Sequence, residues 1–391
     1  MPNPAAGKYP IAAAVISALM AGSYVPSPLY ELYGRDWGLS PAEITFVFAI
    51  FVSSLVPSLL FLGGISDEIG RRRTMLIALG LAAIGALVMA FASNLWWLVV
   101  GRIFQGLALG IGLSTATAAV REWMDEGMRQ SAGSIALIAT GIGAALGALY
   151  SGVLAQYAPH PTMLPYLAQF AVLGCVAAAV ATVPSCPHLA SAAHHGLPTI
   201  PRTIRRPFYV ASIQAFVGWA TISIFVSLLP SFLARSLGLQ NLLVGTSIVV
   251  LIQIGMVTAS FIGRNLRNRT AILTAMLALG GGLWLLLLAV PQHQYAVIVL
   301  ATLAVGVGNG LSYLAGLNIV NAIAPPEHRA ELLAAFLVAT NLGFTLPALG
   351  VGVAANFVGL YLSIAGGAVF LGIVAVVSMI VATERNMAAP T

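Results

Sequence analysis

Two ionisable side chains of this 391-residue sequence stand within long apolar stretches, where a charge is costly and suggests a function. Arg102 lies about 12 Å along the apolar run that follows Asn94 if that run is helical, and Gln105 shares its helix face. Glu31 lies near the end of the first apolar run, whereas the other acidic residues fall in or near polar connections. An arginine in such a place can bind an anion or tune the protonation of a nearby carboxyl group.

We predict that Glu31 approaches Arg102, with Tyr30 and Gln105 beside them, and that Glu31 can carry a proton. The alternatives are an arginine that extends toward the membrane surface and an exposed glutamate at a helix end. The same run contains Pro26-Ser-Pro28, which must bend or break a helix and can free backbone groups to line a cavity, although an ordinary kink is the alternative.

The second half of the sequence carries neutral polar side chains within its apolar runs. Asn309 and Tyr313 are four residues apart and share one helix face. An apolar cavity with a few hydrogen-bonding groups suits a neutral or weakly charged organic compound, although hydrogen bonding between helices is the alternative. The cavity residues predicted from this half are Gln214, Gln253, Asn309, Tyr313 and Asn341.

No pattern typical of an enzyme accompanies these residues. The sequence has no nucleophile–base set, phosphate-binding loop or dinucleotide fingerprint, so neither a catalytic residue nor a cofactor is predicted. His188, His194 and His195 lie in a polar connection without the fixed geometry that a metal site needs, so no metal ion is predicted. Cys175 and Cys186 form neither a CxxC pattern nor a disulfide framework.

The helices that position these residues must lie in a membrane. Hydrophobic residues make up 59% of the sequence and charged residues 7%, against roughly 25% charged residues in a soluble domain. Most of the surface must therefore face lipid, and each crossing needs about 20 apolar residues. The apolar runs predict an all-α membrane protein with twelve transmembrane helices, at 9–33, 43–62, 74–92, 95–120, 131–155, 164–183, 208–233, 242–263, 270–290, 294–322, 330–356 and 358–382.

The basic residues predict how these helices are oriented. With the N-terminus in the cytoplasm, fourteen of the seventeen Lys and Arg residues fall on the cytoplasmic side, and Arg35 and Arg235 fall on the outer side. By the positive-inside rule, both termini are expected in the cytoplasm. The net charge of +6 then reflects membrane topology, and no nucleic-acid partner is expected.

The two halves of the sequence repeat one another at an offset of 200 residues. The matching pairs are Ala139–Gly143 with Ala339–Gly343, Gly152 with Gly352, Gly106 with Gly306 and Gly110 with Gly310. Chance similarity between Gly-rich helices is the alternative, but an offset shared by two pairs of helices favours a parallel repeat about an axis normal to the membrane. We predict pseudo-symmetric six-helix bundles at 1–184 and 208–391, joined by a cytoplasmic loop at 185–207.

A glycine- and charge-rich segment follows the second predicted helix and reads Gly63-Gly-Ile-Ser-Asp-Glu-Ile-Gly-Arg-Arg-Arg73. It resembles the signature Gly-x-x-x-Asp-(Arg/Lys)-x-Gly-Arg-(Arg/Lys) of the major facilitator superfamily and departs from it at Glu68. The resemblance implies a cytoplasmic gate that forms in one state and breaks in the other, whereas a topology signal of positive loop residues is the alternative. The predicted gate residues are Gly63, Asp67, Gly70, Arg71, Arg72 and Arg121.

Two further motifs resemble patterns of that family. Arg102-Ile-Phe-Gln-Gly106 is similar to its Arg-x-x-Gln-Gly motif, which implies a cavity-facing arginine. The helix at 131–155 has the glycine spacing found in the family's antiporters, although Ala148 stands where those carry proline. Close helix packing alone is the alternative. The predicted helix-packing residues are Gly143, Gly147, Gly152 and Pro347.

The resemblance implies a secondary transporter that works by alternating access. The leading hypothesis is efflux of a small organic compound in exchange for protons, with the proton gradient as the energy source. The alternatives are uptake of a small metabolite or organic anion by symport or uniport, and a membrane receptor that transports nothing. The protein is expected to be a monomer that crosses the bacterial inner membrane many times and is surrounded by its lipid bilayer.

Overall fold

The computed structural model describes residues 7–62, 65–184, 200–227, 229, 241–263, 266–325 and 329–383. Within these residues the fold is all-helical, and twelve helical segments are long and apolar enough to cross a membrane. The predicted fold class is therefore confirmed. The predicted gate residue Gly63 and the three histidines of the central connection lie outside the described residues.

The α-helices of the described chain agree with the predicted spans to within a few residues at most ends. They are α1 Tyr9–Tyr24, α2 Leu29–Asp36, α3 Pro41–Pro57, α4 Ile65–Ile69, α5 Arg71–Ala90, α6 Leu95–Glu122, α7 Ala132–Tyr157, α8 Leu164–Ala181, α9 Arg205–Ser227, α10 Leu242–Ile262, α11 Asn268–Ala289, α12 Tyr295–Ile323, α13 Arg329–Val358 and α14 Leu360–Thr383. A π-helical turn at Ser58–Leu62 extends α3, and 3-10 turns at Glu126–Ser131 and Arg202–Ile204 precede α7 and α9.

Local sequence signals set several helix ends. Ser40 and Glu43 form a capping box, because the Ser40 amide donates to the Glu43 carboxylate at 2.8 Å and the Glu43 amide donates to the Ser40 hydroxyl at 3.3 Å. The Asn94 side chain caps α6 by accepting a hydrogen bond from the Trp96 amide at 3.0 Å. Gly70 precedes α5 with φ 91°, a conformation that favours glycine over other residues.

The described chain divides into two compact units. The first comprises the described parts of Met1–Gly38 and Val47–Gly196, and the second those of Leu39–Phe46 and Leu197–Thr391. The first turns of α3 therefore group with the second unit, which the sequence does not predict.

Long helices form the interior of each unit. In the first unit α1 packs against α6, α7 and α8, and α5 packs against α6 and α8. In the second unit α12 packs against α9, α10 and α11, and α13 packs against α9. Helices α6, α9 and α12, which carry predicted cavity residues, therefore each pack against several other helices of their own unit.

The sequence repeat is also a repeat of contacts inside each unit. In the first unit Gly106 of α6 lies against the carbonyl of Phe51 in α3, and a Cβ at this glycine would overlap that oxygen. In the second unit Gly306 of α12 lies against the carbonyl of Ile252 in α10 in the same way. Since a side chain would separate the two backbones in both places, each glycine sets a close helix approach.

A second pair of equivalent glycines makes the same kind of contact between other helices. Gly143 of α7 lies against the backbone of Ser17 in α1, and Gly343 of α13 lies against the backbone of Phe216 in α9. The remaining predicted packing residues are Gly147, which lies against Ala21, Gly152, which is buried in α7, and Pro347, which stands inside α13. The glycine spacing of α7 therefore serves close packing on α1.

Candidate functional site

Arg102 is buried in the first unit, with 1% of its surface exposed. Its Nη1 donates to the Ser23 carbonyl at 3.1 Å and to Gln105 Oε1 at 3.0 Å, and its Nη2 donates to the Tyr30 hydroxyl. The guanidinium carbon also lies 5.6 Å and 5.2 Å from the ring centres of Tyr30 and Phe51. Among the described residues no carboxylate lies within 4.0 Å of this cation, so neutral groups alone surround it.

Arg102 finds hydrogen-bond partners here because two prolines break the first membrane-spanning segment, between α1 and α2. Neither Pro26 nor Pro28 has an N–H, so neither can continue the helical hydrogen bonds of α1. The Ser27 amide donates to Tyr24 and the Leu29 amide donates to Pro26, each three residues back. The backbone carbonyls of the preceding turn are thereby left without helical partners, and each buried one needs another donor.

Side chains from α6 and α7 supply those donors. Gln105 Nε2 donates to the Gly22 carbonyl at 3.2 Å, and Arg102 donates to the adjacent Ser23 carbonyl. The Ser151 hydroxyl donates to the Val25 carbonyl at 2.6 Å. The Arg-x-x-Gln spacing therefore places two donors on one helix face, opposite two consecutive carbonyls of the break. We call this set of contacts the Arg102 network.

Glu31 does not join the Arg102 network. Successive residues of a helix point about 100° apart, so with Tyr30 turned toward Arg102 the next residue turns away. Glu31 is half-buried, and the structure has no ion pair within 4.0 Å between Glu31 and Arg102. The predicted approach of the two charges is thus wrong. The rotation of α2 after the proline break brings Tyr30, and not Glu31, into contact with Arg102.

Further polar contacts tie the first span to α7 and α8. The Tyr33 hydroxyl donates to the Tyr166 hydroxyl at 3.1 Å, and both side chains are buried. Gln169 Nε2 donates to the Ala18 carbonyl at 2.8 Å, and its Oε1 accepts from the Tyr150 hydroxyl. Sequence reasoning missed the tyrosines, since a tyrosine in an apolar run gives no sign of which neighbour its hydroxyl meets.

The second unit has no arginine equivalent to Arg102. The residue 200 positions on is Thr302, whose hydroxyl donates within its own helix to the Ile298 carbonyl at 2.7 Å. Each of the other buried polar side chains of this unit in the described residues is also neutral. The two units therefore repeat their packing but not their charge.

The predicted polar residues of the second unit make separate contacts. Gln214 Nε2 donates to the Ser378 hydroxyl at 3.1 Å, and Asn341 Nδ2 donates within its own helix to the Leu337 carbonyl at 2.7 Å. Gln253 is buried, and its Oε1 has no hydrogen-bond partner among the described residues. The structure does not join these three amides by any described hydrogen bond, so they do not form a single network.

Tyr313 meets aromatic residues that sequence reasoning missed, and Asn309 lies beside the backbone that carries one of them. The ring of Trp219 in α9 lies edge-on to Tyr313 with centroids 6.3 Å apart, and edge-on to Phe344 of α13 at 5.4 Å. Asn309 lies against Gly218, the residue before this tryptophan, because a Cβ there would be 2.6 Å from Asn309 Oδ1. We call Trp219, Asn309, Tyr313 and Phe344 the Trp219 cluster.

Arg71 holds a charged cluster where α4, α5 and α6 meet. Its Nη1 lies 2.7 Å from Asp67 Oδ1 and also donates to the Ser66 hydroxyl. Its Nη2 and Nε bind the two oxygens of Glu122 at 2.7 Å and 3.2 Å, which is the two-bond geometry that arginine favours with carboxylates. Every member of this cluster belongs to the first unit.

The other predicted gate residues lie around this cluster. Arg71 is a partner of Asp67, whereas the predicted gate residue Arg121 is exposed at the end of α6. Arg72 donates to the Ala181 carbonyl of α8 at 2.7 Å. Sequence reasoning missed Glu122, although a carboxylate next to a basic residue at a helix end is a natural partner for an arginine on the neighbouring helix.

The described residues contain no group of three or more His, Cys, Asp or Glu side chains that could hold a metal ion. The chemistry available in these units is therefore that of hydrogen bonding, one buried cation and aromatic surfaces. Such groups can bind and orient an organic compound.

Comparison with known proteins agrees with this architecture. The chain is 31% identical over 134 residues to the uncharacterized MFS-type transporter YybF of Bacillus subtilis, and 33% identical over 95 residues to the niacin transporter NiaP of Acinetobacter baylyi. These segments cover 34% and 24% of this chain but only 33% and 22% of the two relatives. A bacterial homologue of the human lysosomal transporter Spinster, solved in an inward-facing and occupied conformation, has the same fold, with a TM-score of 0.74, 14% identity and 96% of both chains covered. The profile of the Major Facilitator Superfamily matches residues 12–348, and the chain belongs to this family.

Proposed function

We propose that the chain is a secondary transporter, and not an enzyme, that exports a small organic compound in exchange for protons. Three observations support this proposal: family membership, the repeated contacts inside the two units, and twelve helical segments of the described residues that are long and apolar enough to cross a membrane. In the proposed mechanism two six-helix bundles, at 1–184 and 208–391, expose a cavity to each side of the membrane in turn. The positive-inside pattern favours a cytoplasmic location for both termini.

The position of Glu31 supports the proton-coupled part of the proposal. Its half-buried carboxyl group lies on α2 and directly follows Tyr30, whose hydroxyl is held by Arg102. A change in the charge of Glu31 therefore acts on the short helix that the Arg102 network ties to α6. Arg35 stands one helical turn further along α2. We assign the proton to Glu31.

The export direction rests on the resemblance of the glycine spacing of α7 to the antiporter motif of the family, and not on the packing of this helix. Its Gly143 and Gly147 lie against the backbones of Ser17 and Ala21, just before the break in the first span. This is the helix whose glycine spacing resembles the antiporter motif of the family, and close contact with α1 is what such spacing provides.

Proton movement in proteoliposomes tests the direction of coupling. A pH-sensitive dye is enclosed in the lumen, and a panel of small organic compounds is added outside one at a time. An antiporter that takes a compound inward releases protons, so the lumen becomes alkaline, whereas a symporter makes it acidic. Protein-free liposomes correct for compounds that carry protons across the lipid themselves. Acidification by every active compound would refute exchange.

The Glu31→Gln variant tests the assignment of the proton. We expect it to lose compound-driven proton movement by at least about tenfold while retaining compound binding, because the amide keeps the size of the side chain but cannot ionise. Glu126→Gln is the matched control, since this side chain is 89% exposed in a connection between helices, and it should behave as the parent protein. Persistent proton coupling in Glu31→Gln would remove Glu31 as the carrier.

Uptake of an organic anion is the second candidate function, and Arg102 favours it. Its buried guanidinium has no carboxylate partner among the described residues, and its Nε atom has no hydrogen-bond partner there. A carboxylate substrate would supply a negative partner for the guanidinium and a hydrogen-bond acceptor for its Nε atom. The similarity to the niacin transporter NiaP is consistent with such a substrate, because niacin carries a carboxylate.

The Gln105→Glu variant tests this second candidate with labelled nicotinate. The new carboxylate would lie near Arg102 Nη1, where Gln105 Oε1 now lies at 3.0 Å, and would repel an entering anion. Repulsion of about 4 kcal/mol is expected at 4 Å with an effective dielectric constant of 20, so nicotinate uptake should fall at least about tenfold. Gln105→Met is the control, because it also removes the donor to the Gly22 carbonyl but adds no charge. Equal losses in both variants would contradict anion binding at Arg102.

A further inference from the structure

The Trp219 cluster brings three aromatic rings and one amide together in the second unit. Trp219 meets Tyr313 and Phe344 edge-on, and Tyr313 in turn lies 5.7 Å from Phe336. Asn309 stands one helical turn before Tyr313 on the same face of α12. Its side chain is fully buried beside Gly218, so the amide is fixed next to the backbone that carries the tryptophan.

Two polar atoms of this cluster have no hydrogen-bond partner among the described residues. They are the donor Nε1 of Trp219 and the acceptor Oδ1 of Asn309, and both are shielded from solvent. Among the described residues the Asn309 Nδ2 group donates only to the sulfur of Met256, at 3.8 Å, which is a weak acceptor. A buried polar atom without a partner destabilises a protein by about 1–3 kcal/mol, and native proteins leave few of them.

A bound compound would satisfy both atoms. It must offer an acceptor to Trp219 Nε1 and a donor to Asn309 Oδ1, next to an apolar part that the rings of Tyr313 and Phe344 can contact. Among the described buried side chains of this unit none is charged, so an ionised group would find no counter-charge. An aromatic ring meets these conditions, because aromatic pairs prefer the edge-to-face contacts that Trp219 already makes.

We propose that the Trp219 cluster binds an aromatic ring bearing an uncharged substituent with one acceptor and one donor, such as a primary carboxamide or a protonated carboxylic acid. This assignment rests on the proposed transport function and names the class of compound that the second unit recognises. Trp219 Nε1 donates to the carbonyl oxygen of the substituent. Asn309 Oδ1 accepts from its N–H or O–H group.

Binding of 4-fluorobenzamide to the full chain in lipid nanodiscs tests the proposal by ligand-observed fluorine NMR. The parent protein should bind it saturably and more tightly than fluorobenzene, which has the ring alone, and cyclohexanecarboxamide should compete poorly. Trp219→Phe keeps an aromatic ring but removes the donor. Loss of one hydrogen bond should weaken 4-fluorobenzamide by about 2- to 10-fold and leave fluorobenzene within about twofold.

Asn309→Leu provides a second measurement that distinguishes binding from structural support. Leucine has nearly the same shape and no unpaired oxygen, so the thermal stability of the unliganded protein should be unchanged or higher, whereas 4-fluorobenzamide should bind several-fold more weakly. Trp284→Phe is the matched control, because Trp284 lies in the same unit with 46% of its surface exposed, and it should leave binding of both compounds unchanged.

Three results would overturn the proposal. They are the absence of saturable 4-fluorobenzamide binding to the parent protein, an equal loss of fluorobenzene and 4-fluorobenzamide in Trp219→Phe, and a loss in Trp284→Phe as large as that in Trp219→Phe. The measurement is made at equilibrium without a gradient. Binding with the expected pattern but without proton movement would therefore refute the coupling in the proposed function and leave this site standing.

Discussion

The Arg102→Ala variant is expected to lower the free energy of unfolding by about 3–5 kcal/mol and to abolish transport. The substitution removes the donor to the Ser23 carbonyl and the partner of both Gln105 Oε1 and the Tyr30 hydroxyl. Each buried group left without a partner destabilises the fold by about 1–3 kcal/mol. The Ser23 carbonyl cannot regain a helical partner, because the Ser27 amide already donates to Tyr24.

Equilibrium unfolding in detergent micelles, followed by tryptophan fluorescence, measures this effect. Arg129→Ala is the control, since Arg129 is exposed between α6 and α7, and its loss should change the free energy of unfolding by less than about 0.5 kcal/mol. Arg102→Lys separates the effect of the positive charge from the effect of the guanidinium geometry. A lysine keeps the charge but cannot serve three acceptors with a planar fork, so it should remain clearly destabilised. Parent-like stability of the lysine variant would contradict the Arg102 network.

The sequence predicted the position of Arg102 well and its partner poorly. The spacing of Arg102 and Gln105 on one helix face, and the break at Pro26 and Pro28, could both be read from residue types, and the structure shows that these features serve each other. The choice of partner depended on how α2 is rotated after the break. Hydrophobic periodicity cannot give that rotation for a helix of eight residues, and so Tyr30 took the place predicted for Glu31.

The second unit shows a different limit of sequence reasoning. Asn309 and Tyr313 could be singled out because polar atoms are rare in apolar helices. Trp219 and Phe344 could not, because in a membrane helix an aromatic residue that faces lipid and one that faces a neighbouring helix give the same apolar pattern. Their contacts depend on the packing of α9 against α12 and α13, which only the structure shows.

The repeat could be predicted with more detail than either site. An offset of 200 residues aligned glycines in two pairs of helices, and the structure finds Gly106 with Gly306 and Gly143 with Gly343 at backbone contacts in both units. Glycine is informative here because a close helix approach requires a small residue, whichever residue lies opposite. The two units consequently share a framework on which one carries a buried cation and the other carries aromatic rings with neutral amides.

That framework predicts that the same glycine-to-alanine substitution destabilises the protein at some positions and stabilises it at others. In Gly343→Ala the new Cβ would lie 2.5 Å from the Phe216 carbonyl oxygen and 2.8 Å from its Cα atom, so α9 and α13 must separate. Gly143→Ala forces α1 and α7 apart in the same way, with the Ser17 Cα atom 2.7 Å from the new carbon. Overpacking of this kind costs about 1–3 kcal/mol, and both variants should unfold at a lower denaturant concentration.

Gly350→Ala and Gly174→Ala are the matched controls, in α13 and α8. Nothing lies within 4 Å of a Cβ at either position, so alanine meets no obstacle and removes only the excess freedom of glycine within a helix. Each control should therefore stabilise the protein by about 0.5–1 kcal/mol. All four substitutions add the same methyl group. A difference in the sign of the stability change therefore comes from whether that group meets a neighbouring helix. If Gly143→Ala and Gly343→Ala were as stable as the controls, the helix packing inside each unit would not depend on these glycines. The repeat in sequence would then correspond to no repeat in packing.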